Sequence, residues 1–394
     1  MKHFESGYLD GKAGGTLNIS AYETRLNGTL DGSTVAGALQ RTVDKRAAGG
    51  TLAIDLNHNN LFGKQDVVFN KDADLTDIGF DESLPEKADA SAEAAALIID
   101  SGLFKRSGIS HVSIKTNGAV TLQEGANLDL PEDGSLDIAA AGFDIQGSIS
   151  APSGAVELKP AGTADALLTS AITLGGSAAI DVSGLWINDL LDGRQGHALG
   201  LIATDGGSVT LVSEQGDLRL AQGSRIDAGG GAWLNNTAKI TAGQGGSIKL
   251  IAATHDGGGA PSSLILDGEL AGWAIAQGGN LSLSTGEAVI GTAADAPART
   301  DTAPSTGSGQ ATPLILDPDF FRQGGFADYS ITANRYGLKV ADNVQLKPLQ
   351  KNLRWTARQR LKHPAANCKL SAPSSRCRKP TAIRPGWNCH LPNC

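Results

Sequence analysis

From residue 118 the chain repeats one short phrase: GAVTLQE, GANLDLPED, GSLDIAAA, GFDIQ, GSISAPS, GAVELKPA. Apolar and polar positions alternate inside each phrase. Val120 and Leu122 flank Thr121, Leu128 and Leu130 flank Asp129, Leu136 and Ile138 flank Asp137, and Val156 and Leu158 flank Glu157. A period of two predicts half-buried strands, and the glycines at the breaks predict turns. The same texture returns in GGSVTLVSEQGDLRLAQGSRIDAGG (206–230). Helical periodicity is weak; only ADASAEAAALII (88–99) predicts a short helix.

Strands this short cannot bury a face alone. Three steps make a coil of roughly 20–25 residues, which falls in the range of solenoid repeats. Stacked coils would bury one apolar column and pair each strand with the coils above and below. The expected fold is therefore all-β, a parallel β-helix with projecting loops, of about a dozen coils and roughly 55–60 Å long. Glycine suits corners that need φ > 0, and Asn and Asp suit them through local hydrogen bonds. A β-sandwich or β-barrel is the alternative; aromatics at only 5% favour a narrow column. The expected inward residues are Leu17, Ile19, Leu52, Ile54, Val120, Leu122, Val209, Leu211, Leu218, Leu220, Ile248 and Leu250.

A longer repeat overlies the short one. LIIDSGLFKRSGISHVSI (97–114) matches LILDPDFFRQGGFADYSI (314–331), bringing Asp100 to Asp317, Phe104 to Phe321, Gly108 to Gly325 and Ile114 to Ile331. GGTLNIS (14–20) likewise resembles GGSIKLI (245–251). The predicted organisation is a first module over 1–131, continuing β-helix over 132–244, a second module over 245–350 and a tail over 351–394. Each module carries a polar insert, 81–96 and 294–313, of loop-like composition. With the loop 188–205 these are candidate contact surfaces, since inserts on a solenoid project from one face.

Charge separates the tail from the body. Residues 351–394 hold ten of the 33 Lys/Arg and none of the 41 Asp/Glu, leaving the rest with 23 basic and 41 acidic groups, a net −18. Such a body repels phosphate backbones, so no nucleic-acid partner is expected. All four cysteines, Cys368, Cys377, Cys389 and Cys394, also lie in the tail, where the alternation stops. The tail reads as a disordered or out-of-frame segment, with a basic binding tail as the alternative. No run of 18 apolar residues occurs, so no membrane insertion is expected, and the first fifteen residues contain no apolar signal region.

The phrases GGSVTL, GDLRL and GSRIDAGG, preceded by AITLGGSAAIDVSGLWIND (171–189), resemble the filamentous haemagglutinin-type large exoproteins, bacterial adhesins of the two-partner secretion pathway. GYLDGKAGGTLNIS (7–20) and SGISHVSIKTNGAVTL (107–122) are similar to the same family, and the resemblance covers about 7–350. It implies a right-handed parallel β-helix rod, secreted or at the cell surface. That rod would mediate attachment to a host or bacterial cell-surface receptor or glycan, and an outer-membrane secretion partner would export the parent protein. Related exoproteins are associated with haem utilisation, which is an alternative function. The chain lacks the Asn-Pro-Asn motifs of the family's secretion domain, so an internal piece of a longer protein is expected.

Candidate chemistry is thin. GxGxxG and GxxxxGK[ST] are absent, and GGNLSLSTG lacks the Asp of a calcium nonapeptide. Asp129, Asp137 and Asp144 recur at intervals of eight and seven. A β-helix polysaccharide-degrading enzyme would cluster such carboxylates, but stacked like charges repel, so different faces are expected. His3, His58, His111, His197 and His255 show no metal-ligand spacing, and the tail cysteines with His390 lack the spacing of a zinc site. No catalytic residue, metal ligand or cofactor is therefore assigned. Trp233 and Trp273 stand at glycine–alanine corners, where tryptophan binds a sugar or packs a loop onto the rod.

Overall fold

A computed structural model describes residues 9–21, 23–56, 64–71, 94–161, 171–192, 200–214, 216–253, 262–296, 312–342, 344–346, 352–357 and 369–370. The predicted alternation becomes strands, and the strands form parallel sheets. The first sheet stacks, in order, Thr16–Ser20, Gly50–Asp55, Ile109–Lys115, Ser135–Ala140, Ala155–Pro160, Ser208–Glu214, Ser247–Ala253, Asn280–Ile290, Asp328–Val340 and Asn352–Ala357. A second sheet runs from Ala94–Asp100 through Gln65–Asn70, Ala119–Leu122, Gly142–Ile145, Ile172–Leu174 and Leu218–Leu220 to Leu264–Leu266. A third runs from Asn127–Asp129 through Ser148–Ser150, Ala179–Asp181 and Arg225–Asp227 to Glu269–Ala271.

Between residues 109 and 271 the chain visits these sheets in a fixed rotation, first, second, third. Each circuit therefore pairs with the one before it, and like residues stack. Ile54, Ile114, Ile138, Leu158, Leu211, Leu250, Leu283 and Ile331 form one unbroken row of register partners in the first sheet. All are buried, and rows from the second and third sheets join them in one hydrophobic cluster. Burying each such side chain contributes about 1.5–3 kcal/mol, so the column is the main source of cohesion.

The register ladder crosses residues 131/132 and 244/245 without interruption, since Ile109–Lys115 pairs with Ser135–Ala140 and Ser208–Glu214 with Ser247–Ala253. Among the described residues ten strands lie on the first-sheet path, which spans about 43 Å at the usual interstrand spacing. Excursions over 184–192, 200–204 and 230–244 leave the rotation and build a three-stranded sheet from Trp186–Asn188, Ala232–Leu234 and Ile240–Ala242.

Several expectations need correction. The stretch 88–99 is no helix where it is described: Ala94–Asp100 is a strand whose Leu97 and Ile99 point into the core. Its alanines tolerate either backbone, and the buried period-two pair decides. Leu17 is 42% exposed rather than inward, because its strand ends the sheet and has a neighbour on one side only. Ile19 is partly buried, and the other ten expected inward residues are buried. The tail begins as structure: Asn352–Ala357 continues the first sheet and Lys369–Leu370 pairs with Gln345–Leu346. The remainder of the tail, with all four cysteines, lies outside the described residues, as do 81–93 and 297–311 of the two inserts.

Candidate functional site

Four consecutive first-sheet strands are each entered through a dipeptide ending in glycine: Asp133–Gly134, Ser153–Gly154, Gly206–Gly207, Gly245–Gly246. The reason is close approach. A Cβ on Gly154 would lie 2.1 Å from the Gly134 carbonyl oxygen, one on Gly207 1.9 Å from that of Gly154, and one on Gly246 1.9 Å from that of Gly207. Asp133 and Ser153, which precede two of these glycines, take φ of 61° and 56°. In these two dipeptides the left-handed residue is the one before the glycine.

This glycine column carries no side chains, and a groove lies along it. Its volume is about 590 Å³, and it is open to solvent along its length. One wall is a row of outward first-sheet positions in direct register: His111, Ser135, Ala155, Ser208, Ser247 and Asn280. Successive members stand about 4.8 Å apart. His111 Nδ1 lies 2.9 Å from Ser135 Oγ, and Ser153 Oγ donates to the Ala203 carbonyl at 2.9 Å. Burial pushes the Asp133 carboxyl above its ordinary value, while the charges of His111 and Arg46 pull it the other way.

The groove is lined by hydrogen-bonding groups. Ser135 and His111 form a hydroxyl–imidazole pair, yet no hydrogen bond joins Asp133 to His111 among the described residues. The amides of Gly134, Gly154, Gly206, Gly207, Gly245 and Gly246 are all committed to carbonyls. No pair of free N–H groups is left there to receive a developing oxyanion.

Asp129, Asp137 and Asp144 lie on the third, first and second sheets respectively, so the structure does not bring them together. Asp137 pairs with Lys159 at 2.9 Å. No group of three or more metal-ligating side chains occurs among the described residues. His3, His58, His197, His255 and His390 lie outside those residues.

Trp233 packs rather than projects. Its Nε1 donates to Asp189 Oδ2 at 2.7 Å, and Arg41 grips the same carboxylate with Nη1 at 2.8 Å and Nη2 at 3.0 Å. Burial works to raise the Asp189 carboxyl, but the Arg41 and Trp233 hydrogen bonds and the Arg41 charge outweigh it and hold the group below its ordinary value. This clasp ties the irregular segment 23–49 to the excursion that carries Asp189; Arg46 adds an ion pair to Glu132. Trp273 is 53% exposed, its ring beside Gly325, and Trp186, not singled out by its sequence context, is 71% exposed. The signal for the groove was present in the spaced x-Gly dipeptides, but only the register shows that they align.

No family model, curated protein or solved structure matches the chain.

Proposed function

We propose that the chain is a right-handed parallel β-helix and serves as a non-catalytic rod of an exported adhesin of the filamentous haemagglutinin type, attaching a surface to a cellular receptor or glycan. The observation that carries this reading is the fixed rotation of the chain through three parallel sheets with like residues in register. A connection between parallel strands of one sheet is right-handed in about 98% of cases, which favours that hand for each circuit. A rod built this way needs no moving part: it fixes side chains at intervals along an axis, which suits many weak contacts made at once. The committed amides of the groove favour holding a ligand over cleaving one. Export through an outer-membrane partner follows from the sequence resemblance alone.

The test is attachment. Beads coated with the full chain should bind erythrocytes or epithelial cells in a saturable way, and beads coated with heat-denatured protein should not. Equal attachment by the two, or none by either, would remove the adhesin reading.

A further inference from the structure

The corner between the third and first sheets joins two surfaces. One is the groove. The other is the set of excursions that rise beside it, 184–192 with 200–204, 230–244 and 272–278. Their feet are bonded to the groove floor: Gly206 N–H donates to the Gln244 carbonyl at 2.8 Å and Gly245 N–H to the Gln277 carbonyl at 2.7 Å. These excursions carry four large apolar side chains in solvent, Trp186, Ile240, Trp273 and Ile275. Exposed indoles beside a polar groove combine an apolar face with a row of hydrogen-bonding groups.

The groups in the groove narrow the ligand. Ser208, Ser247 and Asn280 are consecutive in the register row, and their side chains have no hydrogen-bond partner within the protein among the described residues. They are neutral, and the groove's charges are confined to the His111–Asp133 end. Among the described residues no lysine or arginine lines it, and the body carries a net −18, so an anionic polymer is disfavoured. An added peptide strand would need free backbone groups, and the floor amides are committed. What fits is a chain with many uncharged hydroxyls and apolar faces between them.

We propose that this corner binds a linear, uncharged polysaccharide laid along the axis of the molecule. Hydroxyls of successive sugars meet Ser208, Ser247 and Asn280, and Trp186 and Trp273 offer their rings to the C–H faces of the sugars. This rests on the attachment reading above and gives it a ligand class.

The experiment titrates the full chain with neutral linear glycans (β-1,4- and β-1,3-gluco-oligosaccharides, α-1,4-glucan, β-1,4-manno-oligosaccharides and chitin oligomers), with heparin and polygalacturonate as acidic controls. At least one neutral glycan should bind saturably, at least tenfold tighter than either acidic polymer. The double variant Ser208→Arg/Ser247→Arg, which fills the groove from outward strand positions, should weaken that binding tenfold or more. Trp186→Ala, at a side chain mostly in solvent, should weaken it about threefold or more; both variants should melt like the parent. No neutral binder, a preference for the acidic polymers, or binding indifferent to both variants would overturn the proposal. Bead attachment separates the two readings: if the double variant attaches cells as the parent does, attachment stands and the groove is not its site. If the parent binds glycan through the groove yet attaches no cell, the groove stands and the adhesin reading falls.

Discussion

A methyl group placed on Gly207 would sit 1.9 Å from the carbonyl oxygen of Gly154, which precedes the neighbouring parallel strand. Gly15 occupies the corresponding place before the terminal strand Thr16–Ser20, and a Cβ there meets nothing within 4 Å. Two glycines with the same sequence context thus carry opposite penalties, because only one has a preceding strand packed beneath it. Gly207→Ala should destabilise the protein by about 1–3 kcal/mol through forced backbone movement. Gly15→Ala should be neutral or slightly stabilising. Urea denaturation of both variants checks the contrast.

The same end effect applies to Leu17 and Leu52, which are register partners. Leu52 is fully buried and Leu17 is 42% exposed. Leu52→Ala should cost about 2–5 kcal/mol, whereas Leu17→Ala should stay within about 1 kcal/mol. Equal losses in denaturant midpoints would place a further coil over Leu17.

Asp189 should couple stability to acid. Its carboxyl is held below the ordinary value in the folded chain, so its contribution is present above the unfolded value of about 3.9 and is lost as pH falls through the lower folded value. Asp189→Ala leaves Arg41 and the Trp233 N–H without their acceptor and should cost about 3 kcal/mol at neutral pH. Melting curves between pH 7 and 2.5 should show the variant's deficit shrinking only below about pH 4.

Tyr329 gives the alkaline counterpart. It is 3% exposed among Phe320, Phe321 and Phe326, and burial pushes its phenol up to about 12. Between about pH 10, where the unfolded tyrosine ionises, and about 12, the folded state retains a proton that the unfolded state has lost. Stability should therefore fall by about 1.4 kcal/mol per pH unit across that window. In Tyr329→Phe this part of the decline should vanish, although the variant forfeits the hydroxyl's bond to the Gln323 carbonyl.

The rows of the core were legible in the sequence because alternation is a local signal: Val120 and Leu122, or Val209 and Leu211, announce their side of the strand within four residues. The long repeat was legible too, and its Asp100 and Asp317 make the same turn, each Oδ1 accepting the N–H two residues on at 2.9 Å. The glycines were seen, but their reason was not. Corner flexibility is a property of one residue, whereas the carbonyl that excludes a Cβ at Gly207 comes from a residue 53 positions earlier. Non-local pairing hid the Arg41–Asp189 clasp as well, since its partners are 148 positions apart and segment 23–49 has no period. Trp186 carries no such signal, because its strand belongs to an excursion that alternation does not distinguish from the three main sheets.

The most direct test of the account is distance along the stack. Ser113, Lys249 and Ser330 occupy one outward row of the first sheet, with Lys249 four register steps and Ser330 six steps from Ser113. With the four native cysteines replaced by serine, spin labels at 113 and 249, and separately at 113 and 330, report the backbone separation by pulsed electron resonance. Stacked parallel coils predict about 19 Å and about 29 Å, growing in proportion to the number of steps. Distances that fail to grow with the step count, as in a sandwich or a closed barrel, would contradict the rod and the function built on it.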